Sequence, residues 1–245
     1  MKRFFFGVFT DARPGASAQE RARKVVSAHL ADAKVQRIVF NEAVAAGPRG
    51  DQFSFDFVVE AWLGDTNQVS DHDALLRAAV EAGVDPKLSR TVLAEEKIIK
   101  PGSAPVKGTF LSKRKPGTSV AEYQSYWRNQ HAEIIQAQHD FFSFVRAYVQ
   151  NHFVDGSYRS FEGEPVGQDD AFDGAPQMWF DSVDDIYSAF KTEGYTRHIR
   201  ADEQKLVKVG FSQSFIAREQ EITTTRAKRH WAGHKIRRTS SPAGE

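Results

Sequence analysis

His131 is the side chain best suited to moving a proton, and its neighbours fall at helical spacing. Tyr123, Trp127, His131 and Ile134 or Ile135 recur every three or four residues, which places them on one helix face. That stripe is apolar except for the imidazole, so His131 points toward a sheet rather than into water. An imidazole with an ordinary pKa near ~6.5 takes or gives a proton at neutral pH. A hydrogen-bonded core histidine would produce the same stripe, and both readings stand at this point. On the strand expected at 143–153, alternation puts Arg146, Tyr148, Gln150 and His152 on one face, with Val145, Ala147, Val149 and Asn151 on the other. A strand covered on both sides is ordinarily apolar on both. Four polar groups on one face need either a cavity or a structural network to satisfy them.

Other candidates lie further on. A strand expected at 175–181 carries Gln177 and Trp179. Tyr195 and His198 follow, with Asp202 one turn beyond, where it either orients a pocket residue or caps a helix. Phe110, Trp127, Phe142, Trp179 and Tyr195 are the aromatic residues available to wall a flat ligand. Several chemistries find no support. The chain has no cysteine, hence no disulfide or thiolate chemistry. There is no glycine-rich phosphate loop, Rossmann fingerprint, His-Glu-x-x-His motif or Gly-x-Ser-x-Gly elbow. His131, His139 and His152 have no acidic ligand at metal spacing, so no metal is expected.

The elements that must position these residues repeat. Pro14, Gly15, Ser17, Glu20 and His29 recur as Pro116, Gly117, Ser119, Glu122 and His131, at a constant offset of 102. Phe55, Asp56 and Trp62 recur as Phe172, Asp173 and Trp179 at an offset of 117, so the second copy holds an insertion. In the first copy the patterns predict strand 3–9, helix 17–31, strands 35–42 and 53–63, helix 71–82 and strand 90–99. Gly47, Pro48 and Gly50 mark a turn. Ser17 with Glu20, and Ser119 with Glu122, are capping boxes. The second copy predicts strand 106–113, helix 119–138, strands 143–153 and 175–181, helices 183–191 and 195–204, and strand 206–216. The excursion at 155–172 reads as a lid or a mobile loop. Each copy is thus a βαββαβ, ferredoxin-like unit. Two such sheets packed face to face within one chain make an α+β barrel with helices outside.

The expected organisation is a degenerate unit at 1–102, a unit with the active cavity at 103–217, and a basic tail at 218–245. The tail carries seven Lys/Arg and three Asp/Glu, plus His230, Trp231 and His234. Net charge is +1, and neither nucleic acid nor membrane is an expected partner. The first apolar run is cut short by Asp11 and Arg13, unlike a signal peptide. With no cysteine, a soluble cytoplasmic protein is expected, and exposed strand edges suggest a homodimer. The first copy has Arg21 and Val25 where the second has Tyr123 and Trp127, so it is expected to be mainly structural. Glu60 and Trp62 are the exceptions to watch there.

Lys115-Pro116-Gly117-x-Ser119, followed by Glu122-Tyr123-x-x-Tyr126-Trp127-x-x-x-His131-Ala132, resembles the EthD domain. So do Tyr148-Val149-Gln150-Asn151-His152, Phe172-Asp173-Gly174 leading to Trp179-Phe180-Asp181, and Asp202-Glu203. The resemblance covers about 105–217, with 1–100 as a degenerate copy. It implies the dimeric α+β barrel superfamily, and enzymes that are polyketide dehydratases, decarboxylases or methylmuconolactone isomerases and typically use no cofactor. It further implies His131 and His152 as acid/base groups and Tyr148 as a hydrogen-bond donor to a developing enolate or phenolate. Tyr123, Trp127, Arg146, Gln150, Asn151, Gln177, Trp179, Tyr195 and Phe110 are then the expected contacts to an aromatic or polyketide-like substrate. The expected activity is a cofactor-free lyase, acting by elimination, decarboxylation or retro-aldol-type carbon–carbon cleavage. A muconolactone-type isomerase and a non-catalytic binding protein are the alternatives.

Overall fold

The computed structural model describes residues 1–10, 17–30, 35–50, 53–64, 72–208 and 210–222. Pro14 and Gly15 of the first repeat, and His230, Trp231 and His234 of the tail, lie outside the described residues. The first half forms β1 (Lys2–Gly7), α1 (Ala18–His29), β2 (Val35–Ala46), β3 (Phe57–Leu63), α2 (His72–Glu81) and β4 (Arg90–Lys100). The second begins with β5 (Val106–Leu111), α3 (Val120–Tyr126), a π-helical turn at Trp127–His131, α4 (Ala132–Ala137) and α5 (His139–Phe142). It continues with β6 (Ala147–Phe153), β7 (Arg159–Ser160), β8 (Gly174–Phe180) and α6 (Val183–Ala189). A second π-turn at Gly194–Ile199, then α7 (Arg200–Leu206) and β9 (Gln213–Glu221), complete it. Both capping boxes form: Ser17 and Ser119 each accept the backbone N–H three residues on, and Glu20 and Glu122 reach back.

All the strand pairings are antiparallel, and they close a ring of eight: β1-β3-β2-β9-β5-β8-β6-β4 and back to β1. The first half contributes β4-β1-β3-β2 and the second β9-β5-β8-β6. The seams are β2 with β9 and β4 with β6, so the halves join edge to edge as well as face to face. Strand β7 adds to the outside of β4. The eight ring strands therefore keep no free edge, and the expectation of pairing through exposed edges finds no edge among them.

Three layers of packing follow from strand alternation. Phe5 faces α1 and α2 with Val25, Val26, Leu75 and Ala79. Its neighbours Phe4 and Phe6 point the other way, into the barrel with Val58, Leu111, Phe153 and Phe215. Three consecutive buried phenylalanines mark a strand covered on both sides. The helices of the second half cover Phe110, Tyr148, Met178 and Phe180.

The barrel interior also holds charge. Glu60 is 1% exposed and lies 3.0 Å from Lys2 and 2.6 Å from Lys107. Burial alone would push its carboxyl up, but the two lysines and their hydrogen bonds hold it far below the usual range. Gln177 donates to Glu60 at 2.8 Å and Asn41 donates at 3.0 Å. Lys2 and Glu60 come from the first half, Lys107 and Gln177 from the second, so the network ties the halves together across the core.

Three boundaries differ from the sequence patterns. Residues 143–146 are not strand; the chain leaves α5 in tight turns, and Arg146 sits outside β6. The expected helix runs on to Leu206, and the last strand starts at Gln213 rather than 206 and runs to Glu221, beyond the expected unit boundary at 217. Arg218–Glu221 pair with β2 because Glu219 turns inward to Lys107, 2.7 Å away. The excursion is neither an open lid nor a loose loop. Phe161 is fully buried in the first half's helix-side core, 6.3 Å from Phe5, and Phe161 N–H donates to the Pro86 carbonyl. No helix of the described residues is long and apolar enough to cross a membrane.

Candidate active site

The α-helix carrying His131 is interrupted by a π-turn at Trp127–His131. Tyr123, Trp127, His131 and Ile135 are all buried, with His131 5% exposed. A four-residue step overshoots a full α-turn by about 40°. The wider π-turn at Trp127–His131 absorbs part of that drift and keeps the stripe facing the sheet. Such insertions recur at functional sites. Gly174 of β8 makes room for the stripe: a Cβ there would sit 2.4 Å from the Trp127 ring.

His131 is held from a second helix. Its Nδ1 lies 2.8 Å from Asp202 Oδ2 on α7, and Asp202 is 2% exposed. The Tyr126 hydroxyl donates to Asp202 Oδ1 at 2.6 Å. Burial would raise the Asp202 carboxyl, but hydrogen bonds from His131 and Tyr126 outweigh it and lower the pKa. The same bond pushes the Tyr126 phenol up to about 12. An ionised Asp202 accepts a hydrogen bond from Nδ1–H of a neutral imidazole, which leaves the lone pair on Nε2. Nε2 has no hydrogen bond to any described residue and is not among the sealed, unpartnered atoms. Of the two roles open to Asp202 from sequence, the structure gives it the orienting one.

Around Trp127 the β6 side chains form a network rather than an empty space. Gln150 donates to the Trp127 carbonyl at 2.8 Å and to the Tyr148 hydroxyl at 3.1 Å. His152 Nε2 donates to Gln150 Oε1 at 3.1 Å, and its ring lies 4.4 Å from Trp127. Its Nδ1 is buried with no partner. Burial first, then Arg128 and Lys97, lower the His152 pKa to about 3, so this ring stays neutral at physiological pH. Burial pushes Tyr148 up to about 12 and keeps its proton on. Since Tyr148 accepts from Gln150, its own O–H remains to donate. The Tyr123 hydroxyl bonds Ser112 at 2.8 Å.

The remaining expected contacts are dispersed. Asn151 and Gln177 face the barrel interior, joined at 3.1 Å. Trp179 also lies on that side, its indole N–H 3.5 Å from Glu219 and the Lys107 ammonium 5.3 Å from its ring. Phe110 and Tyr195 pack with Phe190 and Phe141 in the helix-side core, under the Arg49 guanidinium. Arg49 pairs with Glu203, which also receives the Tyr195 hydroxyl. Arg146 is 44% exposed in its side chain and pairs with Asp181 at 2.6 Å, so it does not join Tyr148, Gln150 and His152. The expected aromatic walls therefore belong to three different environments. Two cavities are described, one of about 630 Å³ beside Phe53, Phe55 and Phe215, and one of about 340 Å³ under the excursion. Neither is lined by His131, Tyr148 or His152. Among the described residues no group of three metal-ligating side chains comes together.

Tyr126 stands in the motif that resembles the EthD domain but was given no site role, because its position, just before Trp127, puts it at the edge of the stripe. The one available signal was the pairing of a tyrosine and a histidine with a later acidic residue.

Residues 115–210 match the EthD domain family. That match spans less than half of the chain. The His131 stripe, the Gln150 network and Asp202 all fall within it, and β1 to β4 lie outside it. No curated protein matches the chain. Among solved structures, an anthrone oxidase-like protein is similar with a TM-score of 0.47 at 11% identity, covering 92% of this chain and 94% of that one. A heme-binding protein from Thermus thermophilus is similar with a TM-score of 0.40 at 11% identity, covering 95% and 94%.

Proposed function

We propose that the EthD domain is a cofactor-independent acid–base catalyst acting on an aromatic or polyketide-like small molecule. The observation that carries this reading is the Asp202–His131 pair at 2.8 Å, with Tyr126 completing the carboxylate's bonds. His131 Nε2 takes a proton from carbon or a hydroxyl of the substrate, and Asp202 stabilises the imidazolium that forms. Tyr148 donates to the oxygen on which negative charge develops. In elimination the imidazolium then returns its proton to the departing group; in decarboxylation or retro-aldol-type cleavage it protonates the carbon on which the broken bond leaves its electron pair, and CO2 or a carbonyl compound departs. Positioned acid–base catalysis of this kind supplies roughly 10²–10⁴-fold. His152 is a neutral member of the supporting network in this reading, not a second acid.

One observation favours an isomerase as the second reading. With His152 held neutral, a single imidazole both removes and returns the proton, and its return to another carbon of the same molecule gives an isomer. We also propose that the halves are tandem ferredoxin-like units, the first structural and the second bearing the site. The strand order within each half supports this.

The test is a thermal-shift screen of phenolic, lignin-derived and polyketide-like compounds against wild type and His131→Ala, with mass spectrometry of each hit. A lost fragment marks a lyase, an unchanged mass with a new retention time an isomerase, and an unaltered compound a binding protein. Full turnover by His131→Ala would sink the acid–base reading.

A further inference from the structure

The chain has six tyrosines, and five of their hydroxyls are hydrogen-bonded. Tyr123 bonds Ser112, Tyr126 bonds Asp202, and Tyr148 bonds Gln150. Tyr187 donates to the Ala46 carbonyl and Tyr195 to Glu203. Tyr158 is 7% exposed, yet its hydroxyl meets no partner among the described residues. A buried phenol normally finds one, because leaving the bond unmade is costly. The Tyr158 side chain lines the cavity of about 340 Å³ beneath the excursion, and its oxygen is not among the sealed, unpartnered atoms. The hydroxyl is thus not sealed, and this cavity is the described space that the residue lines.

The cavity is built and fixed in place. Its rings are Phe153 and Phe172, with centroids 6.1 Å and 6.3 Å from that of Tyr158, and Val120 and Val166 add aliphatic surface. Lys113 pins the excursion by donating to the Gln168 and Ala171 carbonyls, and Val166 N–H donates to the Tyr158 carbonyl. The cation in the wall, Arg114, is committed to Asp173, and Asp155 adds a further negative charge. An anionic ligand would meet an excess of carboxylates there. The volume lies at the small end of the range for small-molecule pockets, about 300–1,000 Å³, and suits a single ring. Burial also keeps the Tyr158 phenol protonated, so it offers a donor at every physiological pH.

We propose that this cavity binds a small uncharged aromatic compound bearing an acceptor oxygen, such as a phenyl ketone. The ring packs on Phe153 and Phe172, and the Tyr158 hydroxyl donates to the oxygen. The proposal does not rest on the acid–base reading of His131, which lines no part of this cavity.

The experiment is a ligand-observed NMR titration of the full chain with acetophenone, ethylbenzene and benzoate. Ethylbenzene has the ring and size without the acceptor, and benzoate adds the negative charge. Saturable acetophenone binding is expected, tighter than for either control. Tyr158→Phe is expected to weaken acetophenone about tenfold and leave ethylbenzene unchanged. Val166→Trp fills the space and is expected to abolish both, while His131→Ala leaves acetophenone affinity intact. Tyr158→Phe keeps the buried ring, so its fold is expected to survive, and an unchanged melting temperature checks that. Absence of saturable binding overturns the proposal. So does an affinity indifferent to Tyr158→Phe and Val166→Trp, a preference for benzoate, or loss of binding in His131→Ala.

Discussion

His29 ends a helix, and His131 lies inside one, at the junction of the π-turn with α4; both helices begin with the same serine–glutamate capping box. Both are buried, at 3% and 5% exposure. Their partners differ in kind. His29 Nε2 lies 2.7 Å from an Arg3 guanidinium nitrogen, and its ring packs 5.5 Å from Phe5 and 5.3 Å from His72. A cation beside an imidazole disfavours a second charge there. His131 instead faces a carboxylate, Asp202, 2.8 Å from its Nδ1. Helix α1 is regular for its full 12 residues, whereas the second copy carries a π-turn that ends at its histidine. A capping box and a histidine fix where the helix starts and which face is buried. The Asp202 carboxylate beside His131 is the feature on which the proposed base rests.

The sharpest way to break this comparison is to remove each histidine in turn. His131→Ala is expected to lower turnover by roughly 10²–10⁴-fold on any substrate found, whereas His29→Ala lowers stability and leaves kcat near wild type. Equal loss of kcat from both would mean the halves share the work. Next in size is the tie between the halves. Glu60→Ala removes the buried carboxylate that Lys2 and Lys107 share and leaves each with only its more exposed partner, Glu96 or Glu219, and a loss of about 3 kcal/mol is expected in urea unfolding. A wild-type midpoint in Glu60→Ala would show that the network does not hold the halves.

A smaller effect sharpens the role of Asp202. Asp202→Asn is expected to cost about 10–100-fold in kcat with KM little changed, the scale seen when an orienting partner of a histidine is lost. The carboxyl's lowered pKa adds a pH signature. Its stabilisation is present above the ordinary carboxylate range near ~4 and is lost as pH falls through the folded value. Asp202→Asn is therefore expected to flatten the acid limb of melting temperature against pH. The smallest expected effect concerns His152. A folded pKa of about 3 against an ordinary ~6.5 means that its contribution is full above ~6.5 and declines as pH falls toward 3. Its ring resonances are expected not to titrate between about pH 5 and 8 in NMR. A midpoint near ~6.5 would return His152 to the list of acid/base groups.

Much of the scaffold was legible in the residues. The repeated Pro-Gly-x-Ser-x-x-Glu starts two helices because a capping box is a local device, decided within a single turn. Alternation in Phe4, Phe6 and Val8 likewise announces the first strand. The π-turn was not legible, since the spacing that it corrects reads equally well as an α-helical stripe. Arg146 was assigned to the wrong setting because alternation gives parity and not where a strand begins. The last strand was started at 206 rather than Gln213 for a related reason, and residues 218–221 were assigned to the tail because polarity alone does not separate an inward-turned glutamate from one. Lys2 and Lys107 are the hardest case. Lysines at strand positions read as solvent-facing until the opposite wall of the barrel supplies Glu60, which is distant in sequence from both. Glu60 itself stood out in sequence because a carboxylate in so apolar a strand needs a partner, but nothing local named it.

The closed ring has a consequence for how the chain is made. Strand β2 finishes at Ala46 and is sealed by β9, which starts only at Gln213. At typical synthesis rates of about 5–20 residues per second, that gap is on the order of ten to thirty seconds of translation. During that time the β2 side of the first half is an open, sticky border on the ribosome. The polar stretch Arg218–Glu221 is thus the clasp of the barrel, and a ribosome that stalls before it releases a protein with its seam undone.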